Sequence, residues 1–253
     1  LKSSLKVYQE ILKRFKPENI RFFGTSSGGG QALSLCMFIR HEHNETPLPK
    51  KLILQSPGLQ VPPSDAQKIK MEDLKDLKIT GSAFILNSIE MSSLISSSDV
   101  LVLEDSKFLF NNAKTEGTCI INKDDGKLEI KNSQFDNNHG LDAGAIRNSN
   151  KMMIKDSEFE NNFCENNGGA IYNDFDGDGE ISNCLFLKNK AENNSGAIHC
   201  YTKMKISDSQ FIDNHALNYA GALLNNDSTT VEISNCKMKN NSSEKAGGAI
   251  ANF

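Results

Sequence analysis

The chain has no tryptophan, only four tyrosines and no proline after Pro63. It also has no Cys-x-x-Cys pair and no apolar run near the ~20 residues of a membrane-crossing helix. Each absence excludes something. With 14 phenylalanines against four tyrosines, the aromatic residues read as core filler, not stacking platforms. A proline-free stretch from 64 to 253 suits densely paired strands, because proline cannot donate to a ladder. The six cysteines (Cys36, Cys119, Cys164, Cys184, Cys200 and Cys236) lack zinc spacing. Parity alone allows disulfides, but unpaired, half-buried thiols are the plainer reading. A net charge of -4 and a pI near 5.8 argue against a nucleic-acid or anionic-membrane partner. At 38% hydrophobic residues the chain is lean for a globular protein yet too apolar for a disordered one. It begins at Leu1 without a signal-like stretch and reads as an internal piece.

Composition changes along the chain. Up to about Leu77 it is punctuated by Lys and Pro and shows helical periodicity. After about Ser98 it is rich in Asn, Ser, Asp and Gly and repeats itself. The repeat aligns on Phe108, Phe135, Phe159, Phe186, Phe211 and Met238, at spacings of 27, 24, 27, 25 and 27. Three residues after each anchor stands Asn111, Asn138, Asn162, Asn189, Asn214 or Asn241. Three before is Asp or Asn, and five before is Leu or Ile. A Gly-x-apolar triplet closes each unit, as in Gly144-Ala145-Ile146 and Gly196-Ala197-Ile198.

This period selects a fold. Each unit holds two or three short β-prone stretches, turns of Asn, Asp, Ser and Gly, and nothing long enough for a helix. The Leu-x-x-Leu-x-Leu ladder of leucine-rich repeats is missing. Units of this length suit one coil of a right-handed parallel β-helix, of six to seven coils in all, stacked at ~4.8 Å. The phenylalanines then form an internal column and the asparagines an amide ladder. Each glycine sits at a corner where a Cβ would strike the next coil. Cys184 and Cys236 fall two coils apart, ~9.6 Å, beyond the ~7 Å reach of a disulfide, and are expected to be reduced.

The F-x-x-N and G-G-A-I motifs, here Phe159-Glu160-Asn161-Asn162 and Gly168-Gly169-Ala170-Ile171, resemble those of chlamydial polymorphic membrane proteins. The similarity spans roughly residues 98–253. It implies an adhesive β-helix passenger, at a cell surface or secreted, with a host-surface or glycan partner. The chain departs from that family in showing no signal, membrane barrel or anchor. It stops in a coil corner at Phe253, so the array is expected to continue.

Residues 1–78 read differently, as a small, incomplete α/β segment of strand, elbow, helix and strand. Leu5, Tyr8, Ile11/Leu12 and Phe15 recur at helical spacing, and Pro17-Glu18-Asn19 ends that helix. A buried strand at 20–23 runs into Gly24-Thr25-Ser26-Ser27-Gly28-Gly29-Gly30, a helical pattern follows, and 51–55 is a second strand. Strand, Gly-x-Ser-x-Gly, helix is the setting of a nucleophile elbow. It would lift the Ser26 hydroxyl clear of the sheet and offer the Ser27 N–H to an oxyanion. With Gln55-Ser56-Pro57-Gly58, the segment resembles the middle of an α/β-hydrolase of the hormone-sensitive-lipase-like esterase branch. The similarity runs to about Leu77 or as far as Met91. In that family the His-Gly-Gly oxyanion loop precedes the elbow, and the acid and His base follow it on later strands. Here a β-helix occupies the place of those strands. His41 and His43 lie along the elbow helix, ~20 Å from Ser26. The segment is therefore expected to be catalytically incomplete. If active, it would be a serine carboxylesterase. Residues 79–98 are a junction or a degraded first coil, with Phe84 at the anchor position, and 99–253 are repeat.

Two further sites require weighing. Asp174, Asp176 and Asp178, followed by Gly179, have the D-x-D-x-D-G spacing of a calcium loop. Leu185 stands where the loop's bidentate glutamate belongs, so a plain turn is the stronger reading. Asp105, Asp156 and Asp208 alternate with Asn132, Asn183 and Asn235 at one position, as a turn cap does and a catalytic pair does not. Carbohydrate cleavage is thereby disfavoured, whereas carbohydrate binding along a polar β-helix face is not. Sequons at Asn44, Asn193, Asn226 and Asn240 arise by chance in so Asn-rich a chain. No cofactor is implied. The leading expectation is an adhesin-like structural and binding module. The alternatives are an esterase using Ser26 and a carbohydrate-binding or carbohydrate-cleaving β-helix.

Overall fold

The structure is a computed structural model. It describes residues 2–25, 35–36, 39, 45–47, 51–55, 77–85, 88–89, 93–113, 118–226 and 230–253. Within the repeat, charged and apolar residues alternate over short stretches. Lys127–Lys131 runs exposed, buried, half-buried, buried, exposed, the period of a strand with one face inward. Such stretches wind into seven coils, from 77–97 to 231–252. Each coil has four strands rather than the expected two or three. In the second coil they are Val100–Glu104, Lys107–Leu109, Asn112–Ala113 and Ile120–Asn122. The extra strand is two residues long, too short to show an alternation in sequence. Equivalent strands pair in parallel, coil upon coil, into four sheets.

The register follows the sequence alignment residue by residue, Phe84 to Phe108, Phe135, Phe159, Phe186, Phe211 and Met238. The six rings are fully buried, with neighbouring centroids 4.7–4.9 Å apart and planes within 10° of parallel. That separation is the inter-strand spacing itself, so the backbone ladder dictates the stack. Leu103, Ile130, Ile154, Ile181 and Ile206 fill the same core.

The asparagines after the anchors form a continuous ladder. Asn138 Nδ2 donates to Asn162 Oδ1 at 2.9 Å and to the Phe108 carbonyl at 2.9 Å, and Asn162 repeats this toward Asn189 and Phe135. Each amide thereby satisfies buried backbone at a corner, where no strand partner is available. Two further ladders are absent from the sequence reading. Asn122 donates to Asn148 and Asn148 to Asn173 at 2.7 Å, and Asn173 donates to Cys200 Sγ, which takes the next place, at 3.7 Å. Ser106, Ser133, Ser157, Cys184, Ser209 and Cys236 form a column two residues before the anchors. The Ser133 hydroxyl accepts the Ser106 N–H and donates to the Lys131 carbonyl.

Several corner positions take left-handed backbone. Asp105, Asn132, Asp156, Asn183, Asp208 and Asn235 all have φ between 48° and 52°, which Asp and Asn tolerate best among non-glycine residues. The alternation has a local use: Asn132 donates to Asp105 at 2.6 Å and Asn183 to Asp156 at 2.7 Å. The corner glycines are required by contact instead. A Cβ on Gly169 would lie 2.1 Å from the Gly196 carbonyl oxygen.

The N-terminal segment joins this solenoid directly. Arg21–Thr25 and Lys51–Gln55 pair in parallel, and the second strand pairs with Leu77–Thr80 of the first coil, giving one nine-stranded sheet. The first helix spans Lys2–Leu12, shorter than expected, and Phe15 lies beyond it, 57% exposed. Pro17–Asn19 forms a separate 3₁₀ turn. Leu5, Tyr8, Ile20, Leu35 and Ile39 make a small core. Cys36, on the other side of its helical turn, joins the β-helix core beside Ile79 and Phe84. All six cysteines are free thiols. No described helix is long and apolar enough to cross a membrane.

Candidate functional site

Ser26, Ser27, His41 and His43 lie outside the described residues. What is described of the elbow region is its approach, the strand Arg21–Thr25.

The sheet built from Ile120–Asn122, Ile146–Asn148, Ile171–Asn173, Ile198–Cys200 and Leu223–Asn225 presents a second cluster of chemistry. Its strands are three residues long, with the first and third residues buried, so the middle residue points outward. In register, the outward column reads Ile121, Arg147, Tyr172, His199 and Leu224. The Tyr172 and His199 rings stack at 5.3 Å and 4°. Tyr201 tilts against both, at 5.8 and 4.9 Å, and Phe175 from the preceding coil's turn leans on Tyr201 at 4.3 Å. Phe175 is 60% exposed. Two of the four tyrosines thus do form a surface platform, correcting the reading of the aromatics as core filler alone. Composition hid this because the phenylalanine column dominates the aromatic count. Tyr172 and His199 share one repeat position, but each coil puts a different residue type there, and Phe175 and Tyr201 come from the turns beside it.

Arg147 fixes the platform's edge. Its Nη2 donates to Asp174 Oδ2 at 2.8 Å, Nε to the same oxygen at 3.2 Å, and Nη1 to Asp142 Oδ2 at 3.3 Å. The guanidinium carbon lies 5.6 Å from the Tyr172 ring centre, in cation–π range. Asp142 Oδ1 accepts from Asn166 at 2.8 Å, and Asp174 Oδ1 from the Phe175 N–H at 2.9 Å. Burial is the main cause raising the Tyr172 phenol well above its ordinary value, with Tyr201 and Asp174 adding to it. Burial lowers His199 to about 4, so it is neutral at physiological pH; its Nδ1 pairs with Ser195 Oγ at 3.0 Å.

This arrangement also bears on the calcium spacing. Both carboxylate oxygens of Asp174 are already engaged, and Asp178 belongs to a strand, Asp178–Ser182, paired with Lys151. Among the described residues no group of three or more His, Cys, Asp or Glu side chains could hold a metal ion. Asp142 and Asp174 are both held by Arg147, so neither carboxylate is free for proton transfer.

The comparisons with known proteins divide the chain in two. The family model of the right-handed β-helix region matches residues 94–252, and that of the steryl acetyl hydrolases matches residues 1–106. The two stretches overlap over 94–106, so the hydrolase similarity runs past both expected limits, Leu77 and Met91, and into the first coils. No curated protein and no solved structure gave a match. The hydrolase model covers less than half the chain and marks its first part as similar to that family. The β-helix model covers more than half, over the coils whose parallel, in-register pairing is described above, and the chain belongs to the right-handed β-helix family.

Proposed function

We propose that the chain is a non-catalytic, adhesin-like binding module, displayed at a cell surface or secreted, that docks a neutral glycan on the Tyr172–Phe175–Tyr201 platform, under which His199 is buried. The observation that carries this reading is exposed Phe175 leaning on half-buried Tyr201, in turns beside the sheet and its fixed polar groups. Aromatic faces take the apolar C–H face of a sugar ring, while nearby carboxylate and guanidinium groups meet its hydroxyls. Asp142, Asp174 and Arg147 together carry one net negative charge, and Asp176 adds another. The rim therefore disfavours uronates and sulfated sugars. The resemblance of the repeats to chlamydial polymorphic membrane proteins supports the adhesive setting. The hydrolase-like segment, on this reading, closes the first coil and does no chemistry.

Screening immobilised glycans tests the reading. Binding to neutral oligosaccharides is expected, lost about tenfold or more in Tyr201→Ala and in Phe175→Ala, in line with ~1.5 kcal/mol per stacking ring. Binding confined to acidic glycans, or unaffected by both substitutions, would remove the platform from the account.

A further inference from the structure

The sheet over the phenylalanine column points two residues per coil outward; the second and third coils present Lys107 and Leu109, then Gln134 and Asp136, and over the last four coils the chemistry is segregated along the solenoid axis. Glu158 and Glu160 stand on the strand Glu158–Glu160. The next two strands present Leu185, Leu187, Gln210 and Ile212, and the last presents Lys237 and Lys239. Register places these residues in two straight columns. Leu185, Leu187 and Ile212 are only half-buried, although they face away from the core. Among the described residues, Glu158, Glu160, Lys237 and Lys239 make no ion pair within the chain. The nine-stranded sheet shows no such order, since it mixes signs within a coil, as in the Lys127–Glu129 pair at 2.5 Å.

An acidic end, an apolar middle and a basic end are complementary to their own reversal. A two-fold axis parallel to the strands, midway between Leu185–Leu187 and Gln210–Ile212, lays one copy's sheet on another's with the solenoid axes antiparallel. Glu158 and Glu160 then face Lys237 and Lys239 of the second copy, and the reverse pairing occurs at the other end. Leu187 meets Ile212 twice across the centre. This is the isologous contact a symmetric dimer requires.

We propose that this sheet is a self-association surface whose occupant is a second, antiparallel copy of the same chain. Four coils at ~4.8 Å by three residues at ~3.3 Å make a face of only ~19 by ~10 Å. That is well below the ~800 Å² per partner of a stable interface, so the association is weak and its charged ends make it salt-sensitive.

Sedimentation of the full chain, with a charge exchange, tests this directly. The wild type is expected to dimerise reversibly at low salt, with dissociation constant on the order of 100 µM, and to dissociate as salt is raised. The double variants Glu158→Lys/Glu160→Lys and Lys237→Glu/Lys239→Glu should each self-associate at least about tenfold more weakly, because like charges then meet at both ends. Mixed in equal amounts, they should dimerise with each other, since every facing pair is again opposite. All four positions are on the surface, so folding is not at stake. A wild type that stays monomeric at about 500 µM in low salt would overturn the proposal. So would variants that associate as the wild type does, or a mixture that remains monomeric. The glycan platform lies on a different sheet, and its fate is separate from this result.

Discussion

At each anchor position one ring per coil carries much of the molecule's cohesion. Phe159 stacks on Phe135 at 4.8 Å and on Phe186 at 4.9 Å, with no exposed surface. Truncating it removes its buried area and leaves a gap that rigid neighbouring coils cannot close. Phe159→Ala should therefore destabilise the chain by ~3–5 kcal/mol in denaturant unfolding, whereas Phe175→Ala, on the surface, should stay within ~0.5 kcal/mol. Equal effects would mean that the column does not carry the load assigned to it. The column and the Asn111–Asn241 ladder were legible in sequence because they recur at one position in every unit. The serine and cysteine column was equally regular, but Ser before Phe reads as ordinary turn composition until its hydroxyl is seen capping the neighbouring coil. The platform of Tyr172, Phe175 and Tyr201 over His199 left no such trace, because no residue type recurs at its positions from coil to coil.

The strands were readable wherever five residues alternate, as in Lys127–Lys131, and unreadable where a corner strand has two. The strands at 21–25 and 51–55 were also readable, but their continuation into the first coil was not. A parallel edge carries no mark of which strand will extend it, and either end of a solenoid exposes such an edge. The N-terminal segment covers one, and Cys36 joins that cover to the β-helix core. This placement has a chemical readout. Burial pushes the Cys36 and Cys184 thiols up to about 12 and raises Cys119, Cys164 and Cys200 as well. Thiolate, the reactive form, is thus scarce at pH 8 at all five, and all five are shielded. Only Cys236 is partly exposed. A thiol reagent at pH 8 should modify Cys236 in the native chain and all six cysteines after unfolding. Ready native modification of Cys36 would show that its helix does not sit on the first coil.

As a whole the molecule is a solenoid with a hydrolase-like beginning, and its function turns on which part acts. The elbow motif at Ser26 gives the first part the look of an esterase. A serine without a base is a weak nucleophile at neutral pH, and removing triad members leaves only the residual contribution of the oxyanion site and binding. His139, His199 and His215 are held on coils of the repeat. His199 is 2% exposed beneath the aromatic platform, and His215 pairs with Ser242 at 3.0 Å. The central claim is that this chain binds and does not cleave, and hydrolysis of short-chain nitrophenyl esters by the full chain and by Ser26→Ala tests it most directly. The account predicts equal rates for the two proteins. A Ser26-dependent rate well above the variant's would contradict it and make the first part of the chain the working enzyme.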